Sequence, residues 1–150
     1  MITLPDEKIL TPHEAKLKNP VELAFVGDAV YELLVREHIS LTCDCAPSRL
    51  HAICVSYVRA EAQQAAYRSI EPILTEEEAD AFRRGRNANK VTASRHAEIS
   101  AYRTSTGLES LFGYLYLTGR TGRIGELFEA IISAPGGGQV IIETKSEDNI

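Results

Sequence analysis

The stretch Asn19-Pro-Val-Glu-Leu-Ala-Phe-Val-Gly-Asp-Ala-Val-Tyr-Glu-Leu-Leu-Val-Arg-Glu-His-Ile39 decides the fold class of this 150-residue chain. Asn19 suits a helix N-cap, Pro20 its first turn, and Glu22 stands three residues after the cap, as in a capping box. Val21, Leu23, Phe25, Val26, Ala29, Val30, Leu33 and Leu34 then cover most of the circumference, which predicts a central, largely buried helix. Gly27 and Asp28 interrupt that apolar run. A mid-helix glycine costs about 1 kcal/mol relative to alanine, and a buried carboxylate is costly unless something pairs with it. Two such penalties at neighbouring positions suggest a function. A cap or an ion pair to another helix explains Asp28 equally well on composition alone.

A second apolar helix is expected over about Ile99–Leu117, with a break near Thr104-Ser-Thr106 left open. Leu108, Leu111, Phe112, Leu115 and Tyr116 form its apolar face, and Glu109 interrupts that face as Asp28 does in the first helix. If the helix begins at Thr106, a capping box accounts for Glu109. If it begins near Ala101, Glu109 lies in the interior and needs another role. Gly113 lets a neighbouring helix approach closely.

Thr11, Pro12 and Glu14 mark a short N-terminal helix. A helix from Pro47 or Ser48 to Ser69 carries Leu50, Ile53, Cys54, Tyr57, Val58, Ala62 and Ala65 at a period near 3.6; Arg49, His51, Arg59 and Arg68 read as solvated. Thr75 and Glu78 start another helix by a capping box, ending near Gly85. Ile124, Leu127, Phe128, Ile131 and Ile132 give the last one. The expectation is an all-α domain of about six helices over residues 1–134, with 135–150 as a mobile tail. Pro135-Gly-Gly-Gly138 does not follow the strand–loop–helix pattern of a phosphate loop, so no nucleotide cofactor is expected.

Neither a transmembrane stretch nor a signal peptide is apparent, and three cysteines argue for a reducing cytoplasm rather than a disulfide framework. Cys43, Cys45 and Cys54 lie near His38 and His51, but Cys-x-Cys is tighter than structural zinc spacing. Buried or idle thiols are expected instead. The charge is uneven. Residues 83–103 hold six cations against Glu98 alone, a local +5; the chain totals −5, so the remainder carries −10. Such a segment suits a localised polyanion site. Arg83 and Arg84 fit a solvated surface as well as a phosphate contact. Arg86, Asn87 and Lys90, around Gly85, suit a phosphate backbone better, because arginine donates in a fork and glycine permits close approach. Residues 91–98, with Arg95 and His96, should form a mobile loop beside them.

Phe25-Val-Gly-Asp-Ala-Val30 resembles the Gly-Asp signature of the ribonuclease III family, and Ser105–Leu117 is similar to its second catalytic helix. Two such segments in the right order within a short chain resemble the Mini-ribonuclease III branch, which keeps only the nuclease domain. The Arg-Gly-Arg-Asn-Ala string is similar to that branch too. The resemblance spans roughly residues 19–133. It implies a homodimeric, Mg2+-dependent endoribonuclease for double-stranded RNA, with Asp28 and Glu109 as catalytic residues and metal ligands and with Phe25 at the dimer interface. It further implies 5′-phosphate and 3′-hydroxyl ends and a role in maturing the 23S ribosomal RNA precursor. Acids found in full-length members are replaced here by Val21, Ala24 and Thr106. Glu32, one helical turn after Asp28, is either an outer group supporting the metal ligands or a surface or interface ion-pair partner. With no double-stranded RNA-binding domain in view, the segment carrying Arg83, Arg84, Arg86, Asn87, Lys90, Arg95 and Arg103 must do more of the holding, with salt-dependent affinity. An RNA-holding dimer that does not cut, or a helical protein–protein adaptor, are the alternatives.

Overall fold

In the computed structural model, which describes residues 2, 4–88 and 96–135, the caps read from the sequence begin the helices expected of them. Thr11 starts α1 (Pro12–Leu17) with a reciprocal capping box to Glu14. The Asn19 side chain accepts from the Val21 N–H at 2.9 Å and opens α2 (Pro20–Thr42). Glu22 does not complete a box there; it pairs with Lys18 at 3.2 Å. Next along the chain come α3 (Leu50–Val58), α4 (Ala60–Ile70), α5 (Glu76–Ala88), α6 (His96–Leu117) and α7 (Thr121–Ser133). Strands are absent among the described residues, and none of their helices is long and apolar enough to cross a membrane. The expected tail lies outside the described residues, apart from Pro135.

The most enclosed helix is α6, not α2. It packs against α2, α4, α5 and α7, and an almost unbroken run from Thr104 to Leu115 is buried. Its leucines and Phe112 meet Tyr31 of α2 and Phe128 of α7, with edge-on ring contacts from Tyr31 to Phe112 and to Phe128. Such contacts add about 0.5–1.5 kcal/mol beyond simple burial. One face of α2, carrying Leu23, Val30, Tyr31, Val35 and Ile39, enters this core. Val21, Phe25 and Leu33, read as core positions, are exposed instead.

Helices α2 and α6 cross with their backbones touching. A Cβ at Gly27 would overlap the Glu109 carbonyl oxygen and lie 2.7 Å from the Gly113 nitrogen. One at Gly113 would overlap the Leu23 carbonyl oxygen and lie 3.0 Å from the Gly27 nitrogen. The glycine inside α2, which looked like a functional concession, is therefore a packing requirement.

Two further expectations change. The long helix over 47–69 is split at Arg59, whose ψ of 153° is extended, giving seven α-helices rather than six among the described residues. The split moves the phase: Gln63, Ala66 and Ile70 face the core, whereas Ala65 is exposed. In addition, α5 does not end at Gly85 but continues to Ala88, because Gly85 packs against Ser110 and Gly107 of α6. The Thr75–Glu78 capping box forms, and the buried Glu78 carboxylate also receives Arg123 of α7 through Nε at 2.8 Å and Nη2 at 2.9 Å. Cys43 and Cys45 are paired as a disulfide, contrary to the expectation of unpaired thiols, while Cys54 is a buried thiol.

Gly27→Ala is expected to lower the unfolding free energy by about 3 kcal/mol or more, since the obstructing atoms are backbone and cannot rotate away. Gly125→Ala in α7, whose Cβ would meet nothing within 4 Å, should instead gain up to about 1 kcal/mol from helix propensity. Urea unfolding of the two variants beside the parent measures both signs.

Candidate active site

The α2–α6 crossing brings one acidic residue from each helix to the neighbourhood of the glycine contact, close enough for their charges to interact. Asp28 follows Gly27 directly, and Glu109 supplies the carbonyl against which Gly27 rests. Because α6 is continuous from His96, Glu109 lies in its interior. The Thr106 hydroxyl donates to the Tyr102 carbonyl at 3.1 Å instead of capping, so the capping-box account of Glu109 fails. Asp28, expected within an apolar surround, is exposed.

The two groups are not alike electrostatically. Partial burial and the charge of Glu32 raise the Asp28 pKa above its usual value. Glu109 is largely enclosed, and burial pushes it up to about 7, opposed by a hydrogen bond from Gln63 and reinforced by the charge of Asp28. Neither carboxylate has an arginine or lysine partner among the described residues. Two carboxylates in one field without a cation suit a hard divalent ion, which takes oxygen ligands and needs only one or two protein carboxylates. A group of three or more histidine, cysteine, aspartate or glutamate side chains able to hold a metal does not occur among the described residues. The fit to magnesium therefore rests on Asp28 and Glu109 alone. Glu32 accepts from Arg36 through Nη2 at 2.8 Å and Nε at 3.2 Å, which favours its ion-pair reading, and the Cys54 thiol lies 3.9 Å from the same oxygen.

Sequence reasoning missed Gln63. Only 2% exposed, its Nε2 donates to Glu109 Oε1 at 3.1 Å and to the Val58 carbonyl at 2.8 Å. An uninterrupted helical period turns Ala62 and Ala65 inward, so the signal exists only once the break at Arg59 is known.

The basic segment is less uniform than its composition. Arg83 pairs with Asp80 at 2.7 Å, and Arg84 donates to the Lys16 carbonyl at 2.6 Å, joining α5 to α1. Arg86 lies 5.7 Å over the Phe82 ring, whose other neighbour is a stacked Tyr67, and donates to Asn87. Arg86 and Asn87 are exposed at the end of α5, and Arg103 is exposed on α6. Lys90 and Arg95, with most of the expected loop at 91–98, lie outside the described residues; His96–Glu98 belong to α6. Phe25 is 79% exposed on α2.

Ionising Glu109 in the folded protein is unfavourable, which fixes a sign for the metal-free protein. Its folded pKa lies above the ordinary 4.5, so its carboxyl favours the fold below about pH 4.5 and progressively loses that contribution as pH rises toward 7. Glu109→Gln should stabilise the chelator-treated protein by about 1–3 kcal/mol at pH 8 and by almost nothing near pH 4.5. Denaturant unfolding at both pH values in the presence of chelator checks this.

Comparison with known proteins agrees with this geometry. The Ribonuclease III domain pattern matches residues 21–120, which contain both carboxylates and the whole α2–α6 crossing. A protein of Clostridium tetani named Mini-ribonuclease 3 is 40% identical over 124 residues, covering 82% of each chain. One of the same name from Thermoanaerobacter is 40% identical over 126 residues, covering 84% of this chain and 89% of its own. The crystal structure of a Fusobacterium nucleatum protein superposes with a TM-score of 0.68 at 29% identity, over 77% of this chain and 94% of that one. With the domain pattern spanning residues 21–120 and these relatives 40% identical over most of its length, the chain belongs to the ribonuclease III family, within the group represented by Mini-ribonuclease 3.

Proposed function

We propose that the chain is a homodimeric, magnesium-dependent endoribonuclease that cuts double-stranded RNA, with Asp28 and Glu109 at each active site. The observation that carries the reading is the pair itself: one exposed and one enclosed carboxylate, brought together by the α2–α6 crossing and lacking a cationic partner among the described residues. Family membership supports the endoribonuclease class, and the names of the relatives support the Mini branch.

Asp28 and Glu109 would hold the magnesium, which when bound supplies positive charge for activating water and for neutralising the transferring phosphoryl group. Asp28 meets the solvent side, where a phosphodiester can arrive. Glu109, fixed between α2, α4 and α6, contributes a carboxylate whose position does not depend on the substrate. Hydrolysis places the water oxygen on phosphorus and breaks the bond to the 3′-oxygen, which takes a proton. The ends are then a 5′-phosphate and a 3′-hydroxyl.

Arg86, Asn87 and Arg103, together with Lys90 and Arg95, serve as phosphate contacts to the duplex. A-form RNA offers shape, 2′-hydroxyls and phosphates rather than readable base edges, which suits guanidinium donors. Arg83 and Arg84 are tied within the protomer and contribute mainly through their charge. Maturation of the 23S ribosomal RNA precursor in the cytoplasm is proposed as its role by analogy with the family resemblance of the two carboxylate-bearing helices.

An exposed apolar face of α2 supports the dimer. Val21, Phe25, Ala29 and Leu33 recur every fourth residue on its exposed face, and Leu50 and Val55 of α3 are exposed as well. Each large side chain moved from water into a contact contributes about 1.5–3 kcal/mol. A two-fold axis through such a face repeats the Asp28–Glu109 pair on the partner, one site for each strand of a duplex.

Phe25→Asp should convert the dimer to monomer in sedimentation equilibrium. Asp28→Asn and Glu109→Gln should each lower magnesium-dependent cleavage of a labelled structured ribosomal-RNA fragment by about a thousandfold or more while leaving duplex affinity within about threefold. Undiminished cutting by either active-site variant would overturn the assignment.

A further inference from the structure

The chain breaks its helix at Arg59 without a proline or a glycine, and the break is occupied by a side chain. In a continuous helix the Val58 carbonyl would accept from the backbone N–H four residues on. Here Arg59 is extended and the Gln63 side chain donates to that carbonyl instead, while the Gln63 backbone N–H bonds to the Arg59 carbonyl at 3.0 Å and starts α4. The same Nε2 reaches Glu109 Oε1. Both neighbours of that nitrogen are acceptors, so the amide cannot be turned over: a flipped carbonyl oxygen would face a carbonyl and a carboxylate at once. Among the described residues the buried Gln63 oxygen has no partner, an expense that a residue serving only as a helix cap would not require.

We propose that Gln63 is a positioning residue that holds the Glu109 carboxylate in the orientation needed to ligate the divalent ion. The inference rests on the metal-dependent reading of the site. The α3–α4 break is then part of the active site: it turns Gln63 inward, and Val58 fixes the amide from behind. Groups behind a ligating carboxylate set its orientation, and their loss costs about 10–100-fold in metal affinity.

The test is Mn2+ binding to the full chain without RNA, read from loss of the free-ion electron paramagnetic resonance signal, with Asp28→Asn defining which binding belongs to this site. Gln63→Met keeps the length of the side chain and removes the donor. Ile53→Val loosens the same α3 packing without touching Glu109. All variants are compared where thermal melts show them folded. The dissociation constant of Gln63→Met should rise about tenfold or more, with Ile53→Val within about twofold of the parent. Parent-like binding by Gln63→Met, or equal weakening by Ile53→Val, would overturn the positioning role while leaving the metal site standing. Absence of any Asp28-dependent Mn2+ binding in the parent would overturn the metal-dependent reading and this inference with it.

Discussion

The contact between the backbones of α2 and α6 at Gly27 and Gly113 is the constraint on which the rest of the molecule depends. Helices normally pack about 8–10 Å apart through side chains; here no room exists for even one methyl group on either helix at the crossing. That closeness sets the surroundings of both acids. Asp28 emerges on the rim with access to solvent, and Glu109 remains inside, screened by α4. The penalty of enclosing Glu109 cannot be relieved by moving the helices apart without losing the core around Leu108, Leu111 and Phe112. The carboxylate is instead held by a neutral donor, Gln63, which leaves the negative field of the pair uncompensated and available to a cation.

Much of this architecture was legible in the residues. Thr11, Asn19 and Thr75 capped helices as their side chains dictate, and Gly113 marked a close approach. The two acids stood out because each interrupts an apolar face. What could not be read depends on which faces meet. Val21 and Leu33 have the composition of core residues, and only the arrangement of α6 shows that they lie on the outer face of α2, alongside Phe25. The break at Arg59 has no local signal, since the hydrogen bonds that stabilise it come from a glutamine four residues later and end on a different helix. A one-residue change of phase then exchanged two alanines for a buried amide at the active site.

The arginines show a similar division. Six cations in 83–103 suggested a localised polyanion site, with Arg83 and Arg84 open between solvated surface and phosphate contact, and helix α5 spreads its share around its axis. Arg83 meets Asp80, Arg84 meets the end of α1, and Arg86 rests on Phe82. Local charge density was correctly read, but the pairing of individual guanidinium groups was not, because it depends on partners as distant in sequence as Lys16. An exposed Arg86 anchored on an aromatic ring loses less side-chain freedom on meeting a phosphate than a free one would.

The most direct test of the crossing as the origin of the site is a carbon-13 NMR titration of the Glu109 carboxyl in the metal-free protein, with and without Asp28→Asn. The expected midpoint in the parent is about 7, shifted downward when the neighbouring charge is removed. A Glu109 that titrates in the ordinary carboxylate range and ignores the substitution at Asp28 would contradict a shared site, since the two groups would then feel no common field.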